Sequence, residues 1–546
     1  MGQTVADLAL ESLIANGIDT LYCVPGYQND PFFDALYHRQ NELKPVQARH
    51  EQGAVYMALG AALATRRPQA FSVVPGPGFL NGSAALCTAH SLYAPVFGLV
   101  GQIPGSDEGK GLGHLHEINN QIGIARSLTR HAVRITDSGA AAGQLRECWD
   151  ALLTGPRGPV VAEIPVDLWR RENRSEPESP KGTRNPAPTP DAAALVAAAE
   201  RITRSRSPLV VVGGGAQDHA ESVRAFARCI GAGVIANRNG RGVMPSWDPL
   251  CLSPRDGHAL WPECDLVIGL GTRLVAQKHH WGLDDGIGVL HIDIDAGSLA
   301  RAGTPEIGLH ADLAKALPEL LALLPKQDER VRWRRRIAEV SKSVRNRIAA
   351  DLAPQLRWLR AIRDAMPDDA IFVDELTQIG YVARFAFPVD RPMRFLSTGY
   401  QGTLGWGIAA AVGAARACPN TPVVSIAGDG GALFTIAELA TAVHHAIPVN
   451  VIVMNDNAYG NVQTMQREDY GARYIASDLT SPDFVALARS FGVHAERAET
   501  PEDLNSCLRT AIALDGPCLI EVPVGPFPSP WKHILLGRVR GDSHHA

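Results

Sequence analysis

Residues 426–460 read IAGDGGALFTIAELATAVHHAIPVNVIVMNDNAYG. The apolar run Val423–Ile426 that leads into them predicts a strand, and Gly428-Asp429-Gly430-Gly431 an acidic glycine turn. A helix is expected from about Thr435, then a second strand over Val449–Met454 that ends in Asn455-Asp456-Asn457. Strand, helix and strand in that order make a crossover unit of parallel neighbours. Asp429 and Asp456 are therefore expected at the carboxyl ends of adjoining strands. Glycines beside them uncover backbone N–H groups, which suits a diphosphate. Carboxylate and carbonyl oxygens next to phosphate are the ligands Mg²⁺ selects, because it keeps near-octahedral oxygen geometry. The stretch predicts a magnesium-diphosphate cradle in an α/β domain.

The same alternation extends outward along the chain. Residues 1–170 carry strand candidates at Asp19–Val24, Ala70–Val74, Pro95–Val100 and Pro159–Glu163, with a strand-like Lys44–Ala48 before the small-residue helix Ala54–Ala64. Residues 171–191 are charged and proline-rich and read as a linker. Residues 192–328 form a second unit around Pro208–Val212, Asp265–Leu270 and Val289–Ile294. A basic helical connector, 329–349, leads to a third unit, 350–535, and residues 536–546 are a tail whose last six are expected to be disordered. The fold class predicted is α/β, with three doubly wound parallel-sheet domains.

Bulk properties are those of a large soluble enzyme. The 546 residues are 45% hydrophobic, with a net charge of −5 that offers nothing to nucleic acid or a membrane surface. No apolar run approaches the roughly 18 residues of a membrane span. Nine cysteines without CxxC pairs, and no legible targeting segment at Met1-Gly2-Gln3-Thr4, give the expectation of reduced thiols in the cytoplasm.

A GDG followed by a paired Asn-Asp, with twenty-four residues between Gly430 and Asn455, resembles the cofactor motif of thiamine diphosphate (ThDP) enzymes. The branch it resembles is that of acetolactate synthases and benzoylformate decarboxylases. The resemblance implies pyrimidine-binding, central Rossmann-like and diphosphate-binding domains in that order. Asp429, Asp456 and Ala458 would then be metal ligands, and Gly428, Gly430, Gly431, Asn455 and Tyr459 cofactor contacts. Thr377 and Gln378, after the strand Ile371–Val373, would add diphosphate contacts. His50-Glu51-Gln52-Gly53-Ala54 matches the segment that supplies the carboxylate for the aminopyrimidine ring. Taken alone, a Glu at a helix start is ordinary dipole placement. In Ser397–Gly407 (STGYQGTLGWG) the Gly402 carbonyl would receive the amino group, and Leu404 would be the wedge beneath the bent cofactor. The resemblance further implies a homodimer or homotetramer with active sites at subunit interfaces.

The chemistry implied is decarboxylation of a 2-oxo acid to an enamine that is protonated or adds to a second carbonyl. Pyruvate decarboxylases carry acids at the positions of Val462 and Tyr27 and adjacent histidines where this chain has His114-Leu115-His116; benzoylformate decarboxylases have histidine at Val74. Acetolactate synthases share the aliphatic Val462 position, the Pro75–Gly78 style and a GTMGFG like GTLGWG. Their substrate arginine falls near Gln277 and their acceptor-selecting tryptophan near Met465, with Arg273 and Lys278 close by. The expectation is an acetolactate-synthase-like decarboxylase or carboligase with the 2-oxo acid unspecified. Catalytic candidates around the reactive carbon are Glu51, Tyr27, Gln28, Asn29 and His116, the last placed to hydrogen-bond a substrate carbonyl; His90, His114, His444 and His445 are read as structural or surface residues. Gly213-Gly214-Gly215 departs from G-x-G-x-x-G, so an empty central domain is favoured over FAD. Two rivals stand beside this reading. One is a non-decarboxylating lyase of 2-hydroxy ketones or 2-hydroxyacyl thioesters, the other a catalytically silent paralogue, which the presence of Glu51, Asp429 and Asp456 opposes.

Overall fold

The computed structural model describes residues 2–174, 181–183, 186–325 and 330–541. Three apolar, β-branched strand sets build three six-stranded sheets in which every described pairing is parallel. The first holds β1 (Thr20–Cys23), β2 (Lys44–Gln47), β3 (Gln69–Val73), β4 (Val96–Gln102), β5 (His131–Arg134) and β6 (Val160–Pro165). Their order across the sheet is β2-β1-β3-β4-β6-β5. The second holds β7 (Pro208–Val212), β8 (Gly233–Ala236), β9 (Cys251–Leu252), β10 (Leu266–Leu270), β11 (Gly288–Asp293) and β12 (Ile307–His310). Read as β9-β8-β7-β10-β11-β12, its order is that of a dinucleotide-binding domain. The third holds β13 (Ile371–Val373), β14 (Phe395–Leu396), β15 (Val423–Gly428), β16 (Asn450–Asn455), β17 (His494–Arg497) and β18 (Cys518–Pro523). Its order, β14-β13-β15-β16-β18-β17, repeats that of the first sheet strand for strand.

The first and third domains share one core, because equivalent helices in each are buried all round. Glu51–Thr65 is built largely of Ala, Gly and small apolar residues, as is Trp406–Ala417, and such helices satisfy no solvent face. They meet backbone to backbone. A Cβ on Gly60 would stand 2.0 Å from the Ala410 carbonyl oxygen, and one on Gly413 1.9 Å from that of Met57. Tyr56 closes the contact, its hydroxyl donating to Thr403 Oγ1 at 2.9 Å and its ring edge-on to Trp406.

Several elements differ from the sequence reading. The helix expected from about Thr435 begins at Asp429 and runs to Thr435, and a second, Glu438–His444, follows after a break. The glycines that look like a turn are taken into the first helical turn because Tyr459, Leu479 and Glu375 crowd Gly430 and Gly431 and leave no room for a Cβ. The strands β5, β8, β9, β12, β14, β17 and β18 were not anticipated. The connector is a helix over Val331–Asp351, anchored where Trp333 Nε1 donates to the Pro208 carbonyl. Part of the 171–191 linker lies outside the described residues, as does the segment after Gly541. The tail before it is tied down. Arg540 donates to the carbonyls of Trp261, Pro262 and Cys264, and Val539 N to that of Trp281.

In the central domain, at the switch point of strand order, the glycine turn after β7 packs closely on Gly271 at the end of β10. A Cβ on Gly213 would meet Gly271 O at 2.5 Å, and one on Gly215 would meet Gly271 Cα at 2.9 Å. Arg273, in the loop after β10, stacks on Tyr93 of the first domain and Tyr400 of the third. Lys278 Nζ donates to the Gly303 carbonyl and Gln277 to Asn237. Asp293 and Asp295 are strand-end and turn residues, Asp295 capping the helix Ala296–Ala300. Among the described residues no helix is long and apolar enough to cross a membrane.

Candidate functional site

In the third domain the neighbouring β15 and β16 set the geometry. Gly428 pairs with Met454, so Asp429 and Asp456 both follow directly on paired strand ends. Asp429 is buried and accepts from Ser481 Oγ at 2.6 Å. Asp456 accepts from Gln378 Nε2 at 2.5 Å. Burial, and then the charge of Asp429 beside it, push the Asp456 carboxyl up from its ordinary range. Two carboxylates in mutual repulsion are what a divalent cation relieves. Among the described residues no three or more His, Cys, Asp and Glu are grouped so as to hold a metal ion, so remaining ligands would be backbone and phosphate oxygens. Ala458 forms an isolated bridge with Asp478 through the backbone groups of Asn457 and Tyr459, leaving its own carbonyl on the other side.

Around this pair the expected cofactor contacts gather. Thr377 Oγ1 caps the helix Gln378–Ala386 by accepting from Gly380 N, and its methyl group lies 3.6 Å from a Cβ position on Gly428. Gln378 Oε1 accepts from Phe527 N, so this side chain is a strut between Asp456 and the chain near its end. Asn455 is held inside the turn, donating to Glu521 at 2.8 Å and accepting from Asn457 N. Tyr459 covers Gly430. Leu404 is half-buried beside Gly431, and Gly402, at φ +58°, faces open space, with nothing nearer than 3.9 Å to a Cβ there. Open room at Gly402 and Gly428 with crowding at Gly430 and Gly431 is the relief of a cradle.

One residue that the sequence reading passed over supports this loop. Glu375 is fully buried and accepts from Gly405 N at 2.8 Å and Gly407 N at 3.0 Å, fixing the turn that carries Leu404. Burial raises its carboxyl to about 7, against the two N–H donors that favour the anion. Its signal was present as the Asp-Glu pair following β13; Ser481 and Asn81 gave none.

In the first domain four candidate residues converge at the carboxyl edge of β1 and β3. Glu51, the first residue of its helix, accepts from Asn81 Nδ2 at 2.9 Å and lies 3.4 Å from a Cβ position on Gly78. Gly26 and Gly78 both pack on Val74, and Gly76 on the backbone of His116. Tyr27 follows Gly26 and is 64% exposed, whereas Gln28 is buried and bonded to both His116 and Leu115. Asn29 is wholly buried, donating to Ser72 Oγ and Val73 O, which makes it part of the frame. His114 pairs with Asp107 at 2.9 Å, and His445 accepts from Gln47 N. Among the described residues no side-chain hydrogen bond joins Glu51 to the third domain. The nearest link there is Glu438, whose carboxylate accepts from the backbone N–H groups of Arg49 and His50.

Comparison with known proteins agrees along the chain. Residues 3–124 match the N-terminal TPP binding domain of thiamine pyrophosphate enzymes, 195–320 their central domain and 377–522 their C-terminal TPP binding domain. A probable acetolactate synthase large subunit of Methanocaldococcus jannaschii is 29% identical, over 95% of this chain and 92% of the relative. A probable 2-ketoarginine decarboxylase of Pseudomonas aeruginosa is 29% identical, over 95% and 93%. The large subunit of acetolactate synthase isozyme 2 of Escherichia coli is 28% identical, over 97% of each. A solved structure from Mycobacterium smegmatis, classed with thiamin diphosphate-dependent enzymes, shares the fold with a TM-score of 0.81 at 23% identity, covering 96% of this chain and 100% of that one.

Proposed function

Because the chain belongs to the thiamine pyrophosphate enzymes and carries all three of their domains in order, we propose that it is a Mg²⁺-dependent 2-oxo acid decarboxylase or carboligase of the acetolactate-synthase-like kind. The observation that carries this is the pairing of Asp429 and Asp456 at adjoining strand ends, with the glycine turn 428–431 beside them and Leu404 against Gly431. Asp429, Asp456 and the Ala458 carbonyl would hold Mg²⁺. Gly428, Gly430 and Gly431, helped by Thr377, Gln378, Asn455 and Tyr459, would hold the diphosphate. The bound cofactor supplies the electron sink that lets a 2-oxo acid lose CO₂.

What this chain's own groups do follows from their chemistry. Glu51, oriented by Asn81, holds or releases a proton at the aminopyrimidine nitrogen. The Gly402 carbonyl would accept the amino group, and Leu404 would pack beneath the bound cofactor. Tyr27 and His116 line the space over the reacting carbon and act on the substrate's oxygens, while Gln28, expected from sequence to join them, is buried behind His116 and bonded to it. The close packing of Val74 against Gly26 and Gly78 keeps that wall narrow and dry.

Glu51 bonds into its own domain, so the site is completed by a second copy of the chain, the first domain of one facing the third of the other. Exposed apolar side chains on both faces support this: Tyr27, Leu112 and Leu115 on the first, Phe434, Met465 and Ile475 on the third.

The test is CO₂ release and product analysis with purified protein, ThDP and Mg²⁺ over a panel of 2-oxo acids that includes pyruvate, benzoylformate and 2-ketoarginine, with and without an aldehyde acceptor. Release of CO₂ with an aldehyde or 2-hydroxy ketone product is the expected result. Cleavage of 2-hydroxy ketones or thioesters without CO₂ from any 2-oxo acid would replace it.

A further inference from the structure

The geometry points to Gln28 as a positioning residue that fixes the hydrogen on His116 Nδ1 and so presents the Nε2 lone pair to substrate; this rests on the function proposed above. Gln28 is 2% exposed, and its backbone carbonyl accepts from Trp169 Nε1 at 2.8 Å. Its side chain has two partners, and their chemistry leaves one arrangement. The Leu115 carbonyl, 2.7 Å from Nε2, accepts only, so the amide must turn its NH₂ that way. Reversal would set oxygen against oxygen in a buried place, which is costly. Oε1 therefore faces His116 Nδ1 at 2.9 Å. An amide oxygen also only accepts, so Nδ1 carries the hydrogen, and in the neutral ring Nε2 is left with its lone pair.

The ring's backbone is fixed as firmly as its side chain. His116 has φ +67°, a conformation few non-glycine residues adopt without support. Gly76 lies against it so closely that a Cβ there would stand 2.3 Å from the His116 carbonyl oxygen. The same short loop continues to Gly78, next to Glu51. Among the described residues no protein group hydrogen-bonds Nε2.

Neutral His116 in this form cannot donate from Nε2 to a substrate carbonyl, which revises the role expected from sequence. It accepts a hydrogen bond from a substrate-derived hydroxyl, or takes that proton. The O–H bond breaks with its electron pair left on oxygen, an Nε2–H bond forms, and the imidazolium's other hydrogen stays on Nδ1, donated to Gln28 Oε1. When the proton returns, the ring is neutral again, so no co-reactant is needed.

The test reads ring nitrogens directly. In ThDP- and Mg²⁺-loaded protein labelled with ¹⁵N-histidine, the His116 signals are identified by their loss in His116→Asn. In the neutral ring, a protonated Nδ1 and an unprotonated Nε2 are expected. Gln28→Met should shift the hydrogen toward Nε2 and lower kcat at least about 10-fold with a smaller change in KM, in line with loss of one proton-transfer group. Gln28→Glu keeps an acceptor on Nδ1 and adds a negative charge, so the acid limb of the pH–rate profile should move to higher pH. A hydrogen on Nε2 in the unmodified protein overturns the inference, as does Gln28→Met with unchanged ring signals. Because the nitrogen signals need no turnover, a failed substrate panel with the expected tautomer overturns only the proposed reaction.

Discussion

Asp456 illustrates how single residues in this chain are held in states that water would not choose. Its raised carboxyl pKa comes from burial and from Asp429, so the pair is most comfortable with a cation between the two carboxylates. Asp429→Ala is therefore expected to weaken ThDP retention by more than about 100-fold, beyond what loss of an outer-shell partner does. Cofactor eluting in stoichiometric amount with that variant on gel filtration would remove the assignment. Glu51→Gln should keep the cofactor and lose about 10²–10⁴ in turnover, since the amide cannot take part in proton transfer; steady-state rates beside a ThDP binding isotherm decide it. Glu375 makes a different prediction. Its folded-state pKa, about 7, lies above the ordinary 4.5. Between these values the unfolded chain has released a proton that the folded one keeps, so stability falls as pH rises through that window and levels off above it. Denaturant unfolding from pH 4 to 8 should show this slope in the natural protein and its loss in Glu375→Gln.

At the scale of elements, the most exacting contact is that between the helices Glu51–Thr65 and Trp406–Ala417. Gly60→Ala puts a methyl group 2.0 Å from the Ala410 carbonyl oxygen, and a backbone group cannot rotate out of the way. The helices must separate, at a cost of about 1–3 kcal/mol, readable as a lower midpoint in thermal unfolding. Nothing in the sequence pairs these two helices, because glycines and alanines carry no periodic signal when every face is buried. Pairing depends instead on strand order, and strand order is set by side chains far apart in sequence. The strands that were legible, such as Ile371–Val373 and Leu266–Leu270, are continuous apolar runs buried on both faces. Those that were not, such as His131–Arg134 and His494–Arg497, are short and begin and end in polar residues. The placement of Asp429 and Asp456 at adjoining strand ends was legible because spacing within one crossover unit is a local property, whereas Glu51 stood out only through the resemblance of its segment. Ser481, Asn81 and the strut made by Gln378 were not, because each acts across a gap of tens of residues.

For the molecule as a whole, the proposed division of each site between two copies can be tested by complementation. Inactive Glu51→Gln and inactive Asp429→Ala proteins, mixed and allowed to exchange subunits, should recover about a quarter of full activity: half of the dimers are mixed, and each mixed dimer has one site free of both substitutions. No recovery, with exchange verified by differently tagged subunits, would mean that one chain builds its own site. The helix pair that joins the first and third domains bears on motion too. With carbonyls seated directly on glycine Cα atoms, no side chain lies between the two backbones at the centre of the joint, and so it works as a weld and not as a hinge. Breathing of the molecule during turnover then falls to segments without regular structure, above all 470–482, which carries the exposed Tyr474 and Ile475 and ends in the Ser481 tie to Asp429. Spin labels spanning the two domains should keep a fixed distance through the catalytic cycle, while a label at Ile475 should not.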